Sequence, residues 1–261
     1  MIRLLKHEVF KLRKSKVLWI VLLLGVALGL LFGIIMQAVG GTSVDMGPGM
    51  EAMVIPKATG AYGMQLAASD LLVILASVLI AAIVCAEYQR NTIRNIAACG
   101  VPRWQIYTVK LIVCAAATLA LFFVILGTLT GFLSVLNGFG DVGFGKYTLT
   151  LLNVVLQVVA LSVVTTFIAD LTRSTGATIG ISIGMVSVFM GLVTIVSMAV
   201  SGTLLTAVEF IGELYPGYGM YKAAEFDLSA GKALRLLAMG ICSTVIFTFG
   251  GIFLFTKRDL K

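Results

Sequence analysis

This sequence predicts an all-α polytopic membrane protein with six transmembrane helices, and three observations lead there. Of its 261 residues, 59% are hydrophobic and only 12% charged, against roughly 25% charged in soluble domains, more apolar surface than one water-soluble core can hide. The apolar residues fall into six long runs, each near or above the roughly 20 residues a helix needs to cross a hydrocarbon core. Barrel strands would be shorter and alternating, so these runs are helices whose backbone bonds are satisfied internally. The third observation is that the basic residues gather in alternate connections.

The chain is expected to form a single transmembrane domain over residues 1–261. Met1 to Lys16 comes first. Ile2, Leu5, Val9 and Leu12 recur at helical spacing while Arg3, Lys6, Arg13 and Lys14 fall elsewhere, which describes a basic amphipathic helix lying in the membrane interface. A positive flank that merely orients the next span is the alternative. His7, the only histidine, has no second imidazole or cysteine beside it, so no metal role is expected. Cys85, Cys99, Cys114 and Cys242 lack C-x-x-C spacing and read as small buried hydrophobes rather than a disulfide framework. The first apolar run is too long for a signal-peptide core and no small-residue cleavage site closes it.

The spans are expected at Val17–Val39, Leu66–Ala86, Leu111–Leu136, Tyr147–Ala169, Ala177–Val200 and Leu234–Phe255. An even number puts both termini on one side. The amino-terminal segment holds six basic residues, the second connection four, the fourth one and the tail three, so fourteen of the nineteen Lys and Arg share a face. The positive-inside rule makes that face cytoplasmic. Glycines recur every four residues at Gly25, Gly29 and Gly33, at Gly127 and Gly131, and at Gly180 and Gly184, a spacing that lets helix backbones approach closely. Packing within one protomer explains them; an interface between protomers is the other reading. No ionised group is expected in the middle of any span, which argues against a proton-coupled carrier. Asn153 and Gln157 remain as polar groups able to face a pathway or a neighbouring helix.

Two outer-loop patterns imitate known sites. Gly140 to Lys146 matches most of a P-loop, but Tyr147 stands where Ser or Thr should ligate magnesium, and no βαβ unit surrounds it. Met46, Met50 and Met53 read as a surface loop rather than a soft-metal site. From Thr203 to Tyr221 the chain mixes Leu204, Leu205, Val208, Ile211 and Leu214 with Glu209 and Glu213, then breaks at Tyr215, Pro216 and Gly217. Such a segment is too short and charged to span and is expected to dip into the outer leaflet as an amphipathic helix with an aromatic turn. Glu209 and Glu213, four apart, share a face, as solvated charges or as a cation-capturing pair. With Tyr215, Pro216, Asn153 and Gln157 they form a candidate outer gate or substrate path.

The most informative stretch runs from Glu87 to Lys110. Thr92 is placed to cap a short helix in which Ile93, Ile96 and Ala97 share one side, Gly100 supplies a left-handed stop and Pro102 starts the next helix. Arg90 and Arg94 project together, and Trp104, Tyr107 and Lys110 mark the headgroup region. The expectation is a short membrane-parallel helix over residues 90–100, presented to the cytoplasm by two long spans; a basic loop held by anionic lipid headgroups is the alternative.

This layout, the E-Y-x-x-N-T-I-R-N segment from Glu87 to Asn95 and the K-R-D-L run from Lys257 to Leu260 resemble the permease subunits of type 2 ABC exporters. The chain is most similar to the permeases of peptide-antibiotic immunity and bacitracin-type resistance. The resemblance covers the whole chain in layout but only those two segments at motif level. It implies that residues 90–100 are the coupling helix, that two permeases, identical or homologous, assemble with two copies of a separate ABC ATPase, and that the complex sits in a bacterial cytoplasmic membrane, expelling an amphipathic peptide or another amphiphile. Arg90, Arg94 and Arg103 would pair with acidic groups of the ATPase and Ile93 and Ile96 would fill its groove, with Glu87, Thr92 and Asn95 completing the segment. No Walker motif lies on the cytoplasmic side, so ATP and magnesium are expected on the partner, with no cofactor, metal or nucleic acid on this chain; its other partners are membrane lipids. An ATP-independent channel or carrier, and a sensing or assembly subunit, stay open as alternatives. No His cluster, nucleophile motif or intramembrane carboxylate pair points to an enzyme.

Overall fold

A computed structural model describes residues 2–44, 53–54, 57–90, 92–93, 100–199 and 209–257. Six helices are long and apolar enough to cross a membrane, and the protein is a multi-pass, all-α membrane protein. In chain order the helices are α1 (Ile2–Lys14), α2 (Lys16–Val39), α3 (Gly63–Ala67), α4 (Asp70–Gln89), α5 (Arg103–Asn137), α6 (Phe144–Thr172), α7 (Thr175–Ala199), α8 (Pro216–Ala223) and α9 (Ala230–Lys257). One addition is a two-residue antiparallel pairing of Ser43–Val44 with Met53–Val54.

Helices α4, α5 and α6 pack on one another at the centre. Around them, α2 lies on α5 and α4, α7 on α4 and α6, and α9 on α6 and α5. The central three bury most of their spanning residues, whereas α2, α7 and α9 each bury fewer than a third. The glycines do not follow that division. Gly25, Gly29 and Gly33 are the face that α2 turns to α5: a Cβ on Gly25 would lie 3.1 Å from Leu121, and one on Gly33 2.9 Å from Phe132. Around Gly127, Gly131, Gly180 and Gly184 there is open space.

Two element boundaries matter for the site. Helix α5 starts at Arg103, directly after Pro102 as expected and eight residues before the apolar run at Leu111, so two further turns carry it toward the α1 end of the molecule. The second apolar run is broken at Ala68 and Ser69 into α3 and α4. Here α3 is wedged against α5 so closely that a side chain on Gly63 would meet the Thr130 backbone nitrogen at 2.8 Å.

Candidate functional site: the connection between α4 and α5

In the last turn of α4, Glu87 and Tyr88 point about 100° apart around the helix, and they reach different elements. Glu87 is 3% exposed. One carboxylate oxygen accepts from the Lys11 ammonium of α1, and the other lies 2.5 Å from the ammonium of Lys110, itself 2% exposed, on α5. The Tyr88 hydroxyl donates to Asp170 of α6 at 2.8 Å, and the Arg173 guanidinium sits 5.2 Å from the Tyr88 ring centroid. Two adjacent residues thus tie α4 to α1, α5 and α6. Breaking a buried pair by removing one partner leaves an uncompensated charge and costs about 3–5 kcal/mol, so this end of the bundle resists splaying.

Glu8, on the face of α1 that meets this cluster, is 5% exposed. Burial, and then the Glu87 carboxylate, hold its carboxyl above the usual glutamate range, against the pull of Lys11 and Lys110.

Ile93 was expected to fill a partner's groove. Its side chain is instead 2% exposed, packed with Ile106, Tyr107 and Phe255. The Tyr107 and Phe255 rings lie 5.8 Å apart, in a space that exists because residue 251 is glycine. The reason is geometric: α5 starts early, and its first turns supply an apolar wall that Ile93 meets before any partner can. The Thr92 hydroxyl donates to the Glu87 carbonyl at 3.1 Å, closing the end of α4. Gly100 has φ +80°, the left-handed conformation expected of it, which favours glycine. Pro102 is the N-cap of α5, accepting from the Gln105 backbone N–H at 3.0 Å.

Arg103 donates to the Thr256 carbonyl at 3.1 Å, joining the start of α5 to the end of α9. Arg90 is exposed at the end of α4. Trp104 is exposed as an interfacial ring should be, but Tyr107 and Lys110 are buried inside the bundle rather than set in headgroups. Arg94, Asn95 and Ile96, like Met46, Met50 and the 258–260 tail motif, lie outside the described residues.

The other candidate group sits at the opposite end. Residues 209–213 are helical, the chain breaks at 214–215, and Pro216 then occupies the first turn of α8, where its missing N–H costs nothing. Helix α8 is buried against α6, while Phe210, Ile211 and Leu214 before it are exposed. Tyr215 is buried, its ring stacked on Phe189 at 5.6 Å and its hydroxyl donating to the Ser182 carbonyl at 3.3 Å. Glu213 is buried and paired with Arg235 of α9 at 2.6 Å, while Glu209 is half-buried. Gln157 does not face a pathway: its amide donates to the Leu236 carbonyl at 2.7 Å, between Gly219 and Gly240. Asn153 donates to the Ala233 carbonyl at 3.3 Å and lines a cleft of about 570 Å³ between α6 and the start of α9. Its Oδ1 has no partner among the described residues.

Lys11, Lys110, Asp170 and Arg235 are the side chains that sequence reasoning did not single out as a site. The one signal for Asp170 is an acid directly after an apolar run, three residues before an arginine. Among the described residues no group of three or more His, Cys, Asp or Glu is placed to hold a metal.

The site is a charged connection at one end of a membrane protein with six apolar spans among its described residues. Residues 4–191 match the family model described as ABC-2 family transporter protein. The chain belongs to that family. No curated protein matches it.

Proposed function

We propose that this chain is the permease subunit of an ATP-driven exporter, energised by a separate ABC ATPase that docks on residues 90–100. The observation that carries the reading is the Glu87 cluster directly behind that connection. A segment meant to transmit a push must not yield, and this one is held by the Glu87 carboxylate on Lys11 and Lys110, by Ile93 under Tyr107 and Phe255, and by Arg103 on Thr256. Ile93 then acts as the anchor of the segment on its own bundle, and the docking contacts fall to exposed Arg90 and to Arg94, Asn95 and Ile96.

The basic asymmetry of the sequence supports placing this end, with both termini, in the cytoplasm of a bacterial cell. ATP-driven closure of two ATPase subunits would shift residues 90–100, and α4 and α5 would tilt with them, opening a path between two permeases, identical or homologous. ATP and magnesium belong to the partner. The resemblance to lantibiotic-immunity and bacitracin-resistance permeases supports an amphipathic peptide antibiotic or a related amphiphile as cargo. The Asn153 cleft and the Glu213 latch are the candidate outer gate.

Arg90→Ala together with Arg94→Ala tests this. Apolar and arginine anchors carry much of a protein interface, so the double variant is expected to lose on the order of tenfold or more in retention of the ATPase and to lose ATP-dependent export. Unchanged retention with unchanged coupled transport contradicts the docking assignment, as does export by this chain with no ATPase present.

A further inference from the structure

Between α1, the start of α2 and the last turns of α4 lies a cleft of about 780 Å³ that shares only Glu87, Lys11, Arg90 and Thr92 with the coupling connection. Ligand sites typically fall at ~300–1,000 Å³. Its walls and its rim differ in chemistry. The walls are mostly apolar, with Phe10, Val17, Ala82, Ile83 and Val113 beside the hydroxyls of Ser15, Thr92 and Thr175. At the rim stand Lys14, Lys16 and Arg90, all three exposed. Among the described residues no carboxylate pairs with any of them.

The two acids that reach the cleft do not cancel this charge. Glu87 is already matched by Lys11 and Lys110, and Glu8 is buried, its carboxylate 3.9 Å from His7 Nδ1 on its own helix. Depth and level also agree. From Arg90 to Ala82 the cleft runs eight residues along α4, about 12 Å at 1.5 Å per residue, the distance from a headgroup into the acyl region. Trp19, 60% exposed with its indole N–H donating to the Arg13 carbonyl at 3.0 Å, marks the interface beside Lys16. A cationic rim over an apolar slot at headgroup depth matches one kind of membrane molecule.

We propose that this cleft is a binding site for one anionic phospholipid, its phosphate at Lys14, Lys16 and Arg90 and an acyl chain along Val17 and Ile83. The lipid would come from the leaflet at the α1 end, cytoplasmic in the orientation proposed above; the site itself does not depend on the ATPase reading. A zwitterionic lipid offers the same chains but no net charge for the rim, so selectivity rests on the cations, and it weakens with salt. Bound there, the lipid would hold α1 against α4 behind Glu87.

The test is native mass spectrometry of the full chain in detergent, titrated with phosphatidylglycerol or with phosphatidylcholine of the same acyl chains. The chain is expected to retain one phosphatidylglycerol at concentrations where phosphatidylcholine is not retained. Lys14→Ala with Lys16→Ala, both at exposed positions, should weaken that binding on the order of tenfold. Ile83→Trp fills the slot without touching the charges and should abolish it, while Lys146→Ala at the opposite end changes nothing. Equal retention of the two lipids overturns the proposal, and so does a double variant or a filled-cleft variant that binds phosphatidylglycerol like the parent.

Discussion

Each end of this protein carries a buried glutamate held by a base from another helix, and the two are built differently. Glu87 is gripped by two lysines from two elements, one of them fully enclosed. Among the described residues Glu213 has one partner, Arg235, whose side chain is 33% exposed. Lys11 is itself 43% exposed, so what sets Glu87 apart is the enclosed Lys110, which holds the carboxylate even when Lys11 turns to water; Glu213 has no second base among the described residues to keep it when its arginine does so. On the coupling reading proposed above, the α1 end would transmit force and the opposite end would let go.

Removing the acids is the strongest way to break that contrast. Glu87→Ala leaves Lys110 buried without a counter-charge and is expected to cost about 3–5 kcal/mol, read as a large drop in thermal midpoint and in the yield of folded protein. If Glu87→Ala melts like the parent, the cluster is not holding α1, α4 and α5 together.

Packing at the two ends gives the next effect. An added methyl at Gly251 would overlap the Tyr107 hydroxyl, so Gly251→Ala should destabilise by about 1–3 kcal/mol. Gly184 lies in open space on α7, and Gly184→Ala should be neutral or stabilising by up to about 1 kcal/mol through helix propensity. Equal effects at both glycines, measured by thermal melting of the isolated chain, would mean that the Tyr107 side chain moves aside freely.

At the opposite end, Arg235→Ala should cost less than Glu87→Ala. About 1–2 kcal/mol is expected, between the surface and the buried limits, because Glu213 keeps access to water through the half-exposed arginine site. A loss as large as that of Glu87→Ala would erase the distinction between the ends.

The smallest expected effect is pH-dependent. Glu8 titrates above the ordinary glutamate value in the folded chain, because it is buried and then because Glu87 is close. The fold therefore binds this proton more tightly than the unfolded chain does. The charged form costs stability above the raised pKa, and stability returns as pH falls from that value toward the ordinary one. Glu8→Gln should raise the melting midpoint at neutral pH and remove that part of the gain on acidification. A parent and variant with parallel pH profiles would show that Glu8 is not buried with its charge.

The spans were legible because the membrane imposes a length that continuous apolar runs such as Val17 to Val39 meet directly. The left-handed Gly100 and the helix start after Pro102 were legible because their signals are local. The pairings were not. Glu87 finds Lys11 seventy-six residues away and Tyr88 finds Asp170 across eighty-two, and no periodicity encodes such distances. Lys110 looked like an interfacial lysine because its partner was invisible, and Ile93 looked available to another protein because its packing with Ile106, Tyr107 and Phe255 leaves no local signal. Pro216 read as a breaker, although proline in a first helical turn starts a helix just as well. That ambiguity hid α8.

The central claim is that force enters at residues 90–100 and not at the opposite end. Site-specific photo-crosslinking compares the two directly, with the crosslinker placed at position 90 in one variant and at position 209 in another, in membranes holding this chain and the proposed ABC ATPase. An ATPase adduct from position 90 and none from position 209 is the predicted result. An assembled complex that gives no adduct from position 90, or gives one from position 209, would contradict it.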